Sequence, residues 1–212
     1  MLTKRIVKQL KPFMYEQGYQ LHNKNFYKIE NHIAFCVTFE NPGGFYALCF
    51  PMPLYLPDEF ASYQYGMRLA ASSSRELPYI DRTASDEEIT AWCQTFSGYL
   101  EKNVFPYFQE VCDPIRMARF FQKKANQRKM LCPPLDVDRL LMFTAFFLKD
   151  KRTFDKAAVR YQKSLADCSY LMPDVVARLK KELEEACKLI ESSEAKIDLY
   201  FASLAEETIK LL

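Results

Sequence analysis

Apolar positions follow two regimes along the chain: period two over much of residues 25–70, and spacings of three and four elsewhere. The clearest period-two stretch is NHIAFCVTFENPGGFYALCFP, from Asn31 to Pro51. Two apolar runs, Ile33–Phe39 and Phe45–Phe50, flank Asn41, Pro42, Gly43 and Gly44, residues that favour a tight turn, so the stretch predicts a β-hairpin. Ile33, Phe35, Val37 and Phe39 share one face of the first strand, and Ala34, Cys36 and Thr38 share the other. In the second strand both faces are again apolar. A strand apolar on both faces needs cover on both sides, which places this hairpin at the centre of a sheet. A further strand is expected around Asn25–Ile29. Another is expected where Tyr63, Tyr65, Met67 and Leu69 alternate with Ser62, Gln64, Gly66 and Arg68. Pro51, Pro53 and Pro57 mark the connection between them.

Helical spacing surrounds this sheet. Residues 3–17 predict an amphipathic helix capped by Thr3, carrying Leu2, Ile6, Leu10, Phe13 and Met14 on one stripe, kinked at Pro12 and ended by Gly18. Ser85 and Glu88 have capping-box spacing ahead of Ile89, Trp92, Cys93, Phe96, Tyr99 and Leu100, with Pro106 expected to break the helix. Asp113 and Pro114 start another helix, expected to run to about Gln127. Pro133 and Pro134 lie in the best internal boundary, at 130–136. Beyond it, Leu140–Leu148 is apolar on nearly every side and predicts a helix sandwiched between others, paired as a hairpin with one through Phe154, Ala157, Ala158, Tyr161 and Leu165. Pro173 opens a long amphipathic stretch. Val176, Leu179, Leu183, Ala186, Ile190, Ser193, Ile197, Tyr200, Leu204, Glu207 and Leu211 fall at alternating spacings of three and four, a heptad seam with two polar members. Packing of that seam on Leu140–Leu148 is the favoured expectation, and a homodimer through the C-terminal helix is its alternative. The stretch Glu191, Ser192, Ser193 and Glu194 is where the helix could turn back.

The fold class expected is therefore α+β: an antiparallel β-meander of about four strands with an N-terminal helix, followed by a mostly α-helical C-terminal half. Residues 1–129 form the α+β part and residues 136–212 the helical part, and whether the two pack as one unit stays open.

Two stretches carry a family resemblance. One is Leu10-Lys11-Pro12, then Gly18-Tyr19, then Asn25-Phe26-Tyr27-Lys28. The other is Tyr99-Leu100, then Asn103-Val104-Phe105-Pro106-Tyr107-Phe108, followed by Asp113 and Arg119-Phe120-Phe121. Over roughly residues 6–165 the pattern resembles an uncharacterised bacterial family of domains of unknown function. The resemblance implies a small cytosolic α+β protein with no assigned catalysis. Its shared positions are packing residues, and the segment after Pro173 departs from its pattern.

Charge changes the picture more than composition does. Net charge is only +2, but 76–112 carries 2 Lys/Arg against 7 Asp/Glu and 113–135 carries 6 against 1. The six cations are Arg116, Arg119, Lys123, Lys124, Arg128 and Lys129, the one set of residues with a possible anion- or partner-binding role. The plain alternatives are stabilisation of a helix C-terminus by cations and neutralisation by the adjoining acidic segment.

Little else points to chemistry. The seven cysteines are scattered, mostly in apolar contexts, and read as reduced buried thiols of a cytosolic protein. His22 and His32 read as surface or turn residues, and Cys36 is too far along a strand from His32 for a nucleophilic pair. Glu87-Glu88, and Glu182 with Glu184-Glu185, read as solvated helix faces. Metal-ligand spacing and a phosphate-cradling glycine loop are both missing, so no cofactor, no metal and no catalytic residue is expected. No apolar run approaches the ~20 residues of a membrane span, and no secretory signal is expected. The functional expectation is a non-catalytic interaction or regulatory protein of bacterial cytosol, with an immunity-type protein as one specific form. An enzyme acting on a small molecule is the alternative, and nucleic-acid binding through 116–129 ranks third.

Overall fold

The structure is a computed structural model that describes residues 2–40, 45–57, 65–70, 77–130 and 132–212, with Ala70 described by its backbone alone. It is an α+β protein: a five-stranded antiparallel sheet in the order β1-β2-β3-β4-β5, preceded by one helix and followed by a mostly helical half. The strands are β1 (Gln20–His22), β2 (Asn25–Glu30), β3 (Ile33–Glu40), β4 (Tyr46–Pro53) and β5 (Met67–Ala70). The turn expected at 41–44 and the start of the strand expected from residue 62 lie outside the described residues. The short β1, not expected from the sequence, joins β2 through a turn in which Asn23 takes φ 55°.

The two-sided apolar character of β3 and β4 has the predicted consequence. Helix α1 (Leu2–Glu16) belongs to the buried cluster on the first face, together with α2 (Asp86–Tyr99), a π-helical segment Leu100–Val104, and α3 (Phe105–Glu110). Phe35 lies 4.9 Å from Phe108, Phe39 lies 5.7 Å from Phe96, and Phe45 meets Trp92 edge-on at 5.3 Å. On the second face Ala34, Cys36, Leu48, Phe50, Met52 and Leu54 form a separate cluster closed by Leu212.

Local chemistry sets most boundaries. Thr3, expected as a cap, lies inside α1, which runs through exposed Pro12 and ends in a Schellman pattern: Gly18 at φ 80°, with Tyr19 N–H on Met14 C=O at 3.0 Å. Ser85 and Glu88 form the capping box of α2. Pro106 has no N–H, and the helix ahead of it widens to i→i+5 bonding, with Phe105 N–H on Leu100 C=O, before α3 resumes.

The helix expected over 113–127 is two helices, α4 (Pro114–Gln122) and α5 (Lys124–Lys129), parted by Lys123 in extended conformation at ψ 116°. Helices α6 (Pro134–Phe147) and α7 (Lys151–Ala166) form the expected hairpin, joined through Lys149 at φ 57° and capped by Asp150. The long seam divides as its polar midpoint allowed, into α8 (Pro173–Leu189) and α9 (Glu194–Lys210). Both halves pack within the chain. Phe201 of α9 lies 4.7 Å from Phe146 and 5.2 Å from Phe147, and Glu182 of α8 meets Arg139 of α6. Helix α6 is thereby enclosed, with Leu140–Phe146 buried along its length.

Candidate partner-binding surface

The six cations fall on a ridge built by α4 and α5. Asp113 caps α4, accepting from Arg116 N–H at 2.9 Å, and Pro114 occupies the first turn. Met117, Ala118, Phe120 and Phe121 are buried, which turns Arg116 and Arg119 outward. The break at Lys123 is held by side chains of the next helix. Asn126 Nδ2 donates at 2.9 Å to Phe120 C=O, which also accepts the Lys123 N–H at 3.3 Å, and Gln127 Nε2 donates at 2.6 Å to Phe121 C=O, a carbonyl near the end of α4. Helix α5 buries none of its residues, so Lys124, Arg128 and Lys129 all stand in solvent.

Arg116 pairs with Asp113 at 3.4 Å and donates to Cys112 Sγ at 3.3 Å. Among the described residues, Arg119, Lys123, Lys124, Arg128 and Lys129 have no ion-pair partner. Three carboxylates of the adjoining acidic segment are engaged elsewhere. Asp86 binds Arg5 at 2.6 Å, Glu88 closes the α2 capping box, and Asp81 accepts from Thr83 and Tyr79. Glu110 alone of those described acids lines the groove of about 570 Å³ that also holds Arg116, Arg119 and Lys123. Part of the dipole explanation does apply, since Arg119 sits in the last turn of α4 and Arg128 and Lys129 in that of α5.

Arg119 also borders a second groove, of about 480 Å³, between α4, α6 and α7. Each helix offers it one stripe at i, i+3, i+4, i+7. From α4 come Ile115, Ala118, Arg119 and Gln122. Leu141, Thr144, Ala145 and the C-cap Leu148 come from α6, and Thr153, Lys156, Ala157 and Arg160 from α7. The trough is thus two helical turns long, ~10 Å. Its floor is small and apolar, while Ile115 and Leu148 are 43% and 45% exposed. This groove is not legible in the sequence, because the three stripes become one surface only through tertiary packing.

Asp150, the carboxylate that lines this groove, and Asp138, the partner of its Arg160, are already committed. Asp150 accepts from Thr153 Oγ1 at 2.6 Å and from Thr153 N–H at 3.0 Å, bonds that hold its carboxyl below the ordinary carboxylate value. Buried Asp138 takes Arg160 at 2.5 Å and Ser164 Oγ at 2.6 Å. Lys156, like Arg119, has no ion-pair partner among the described residues.

Behind this groove, Arg139 and Glu182 form a buried ion pair, with side chains 4% and 10% exposed. The reading of Glu182 as part of a solvated acidic face is therefore corrected: Glu182 is an internal partner, while Glu184 and Glu185 are exposed. Arg139 also donates to Pro57 C=O at 2.6 Å, tying α6 to the chain after β4. Burial pushes the thiols of Cys36, Cys49 and Cys132 well up, and that of Cys93 to about 12, which disfavours thiolate formation at all four. His32 is an exposed turn residue at φ 65°, its ring 4.8 Å from Phe147. Among the described residues no group of three His, Cys, Asp or Glu could hold a metal ion, and no helix is long and apolar enough to cross a membrane.

Comparison with family models, with curated proteins and with solved structures gives no match to this chain.

Proposed function

We propose that the protein is a non-catalytic interaction or regulatory protein of the bacterial cytosol that binds an acidic surface of a partner protein through the α4–α5 ridge. The observation that carries this reading is the set of five ridge cations with no carboxylate partner among the described residues, on a backbone pinned by Asn126 and Gln127. Uncompensated like charges on one face cost stability by mutual repulsion, and they raise the encounter rate with an oppositely charged partner by about 10- to 1,000-fold at low salt. In its most specific form the partner is a toxin whose working surface is acidic, and the protein acts as its immunity-type inhibitor.

The test is crosslinking and capture from the native cell, followed by mass spectrometry, with the wild-type chain and an Arg119→Glu, Lys123→Glu, Lys124→Glu, Arg128→Glu variant. Expected is an acidic protein retained by the wild type, released by half-molar salt and missing from the variant. Partners held equally by both would overturn the reading. Tight binding of a short DNA duplex at physiological salt, lost in the same variant, would transfer the ridge to nucleic acid.

A further inference from the structure

We infer that the groove between α4, α6 and α7 seats an amphipathic α-helix of a partner protein, apolar along one stripe and acidic beside it. The inference rests on the partner-binding reading of the adjoining ridge and names the element of the partner that docks. Three features select a helix. The trough is bounded by three helices that each contribute an i, i+3, i+4, i+7 stripe, so its complement is a rod with the same period. Ala118, Ala145 and Ala157 line it, letting a backbone approach closely. Ile115 and Leu148 stand at its margin with nearly half their surface in water, ready to be covered by an apolar stripe about two turns long.

Charge selects the acidic class. Arg119 and Lys156 face the groove without ion-pair partners among the described residues, whereas Asp150 and Asp138 are engaged by Thr153, Arg160 and Ser164. Carboxylates flanking the apolar stripe of the incoming helix would therefore meet free cations. Arg119 belongs to both groove and ridge, so an acidic partner steered by the ridge is delivered to the groove.

The contrast with the α7–α8 recess supports this choice. There Asp155 and Glu184 accompany Lys188 around Val159 and Leu183, a mixed rim that favours neither sign of partner.

The test uses a phage-displayed library of random sixteen-residue peptides, selected on the full chain. Expected is enrichment of sequences with apolar residues at i, i+3, i+4 and i+7 and Asp or Glu beside them. Their affinity should fall at least about tenfold with Leu148→Glu or Ile115→Glu, both at exposed positions, and with Lys156→Glu. Unchanged circular dichroism and melting temperature would establish that these variants fold. Acidic peptides that ignore the groove variants but are lost with Lys124→Glu and Arg128→Glu would overturn the groove and leave the ridge reading standing. Enrichment without acidic bias, or no enrichment, would overturn the groove as a site for an acidic helix, while the ridge reading stands or falls by the capture experiment. Self-association abolished by Leu148→Glu would assign the groove to a second copy of the chain, and overturn it as a site for a partner helix.

Discussion

Asn25 Nδ2 donates to the main-chain oxygen of Leu212 at 2.7 Å, while its Oδ1 accepts from the Thr38 hydroxyl at 2.5 Å. One side chain on β2 thus joins β3 to Leu212, two positions past the end of α9. The joint matters because Leu212 closes the apolar cluster on the second face of the sheet, with Ala205 packed against it. Helix α9 is consequently part of the core.

Deleting residues 194–212 is expected to abolish cooperative unfolding and leave an aggregating chain, as followed by circular dichroism and light scattering. The milder Phe201→Ala removes the ring contacts to Phe146 and Phe147 and should cost about 3–5 kcal/mol in urea unfolding. A truncated chain that stays folded and passes from dimer to monomer would instead make α9 an oligomerisation arm.

The sheet was legible because β3 and β4 carry their burial in their own residues: apolar side chains on both faces can only mean cover on both sides. β1 was not, since three residues with Leu21 as the one apolar member make no period. The break between α4 and α5 escaped because its cause, the capture of Phe120 and Phe121 carbonyls by Asn126 and Gln127, is a side-chain event inside a helical pattern. The basic run was plain in the sequence, but its lack of acidic partners was not, because Asp86 turns out to serve Arg5, 81 residues away. Glu182 shows the same effect in reverse. Its acidic neighbours pointed to solvent, and its partner Arg139 lies 43 residues earlier. Lys156 and Arg160 do sit at helical spacing, yet nothing local says which helix faces them.

Gly66 is required by proximity alone. A Cβ there would lie 2.5 Å from Cys49 C=O and 2.6 Å from Phe50 Cα, and would collide with Phe50 Cβ, all on β4. Backbone cannot withdraw as a flexible side chain can. Gly66→Ala should therefore separate β5 from β4 and destabilise by about 1–3 kcal/mol. Gly98→Ala is the control: nothing lies within 4 Å of its Cβ, and replacing a helical glycine should leave stability equal or higher by up to ~1 kcal/mol. Equal destabilisation of both variants would contradict this account.

Thiol labelling should sort the cysteines by burial. Cys187 is exposed, Cys112 and Cys168 are half-buried, and Cys36, Cys49, Cys93 and Cys132 are buried. Iodoacetamide at neutral pH followed by peptide mass spectrometry is expected to modify Cys187 first, and more slowly than a free thiol, because partial burial and then nearby Asp155 raise its pKa. Cys36 and Cys49 should react only at the rate of global unfolding. Native-state labelling of Cys36 at the Cys187 rate would show that the second face of the sheet is open, and of Cys49 that the first face is.

The Arg139–Glu182 pair gives the sharpest energetic test. Burial of both side chains means that each charge has lost most of its hydration, and the 2.7 Å and 3.0 Å bonds between them make up part of that loss. Removing one member takes from the other its oppositely charged partner. Arg139→Met alone should cost about 3–5 kcal/mol, leaving the Glu182 carboxylate without its guanidinium. Glu182→Leu alone should cost a similar amount. The double variant should lose far less than the sum, leaving mainly the Pro57 carbonyl without its Arg139 donor, a penalty of about 1–3 kcal/mol. Urea unfolding of the four proteins completes the cycle, and a coupling of about 2 kcal/mol or more is expected. Additive losses would mean that the two charges are hydrated independently, and that the link between α6 and α8 rests on apolar packing alone.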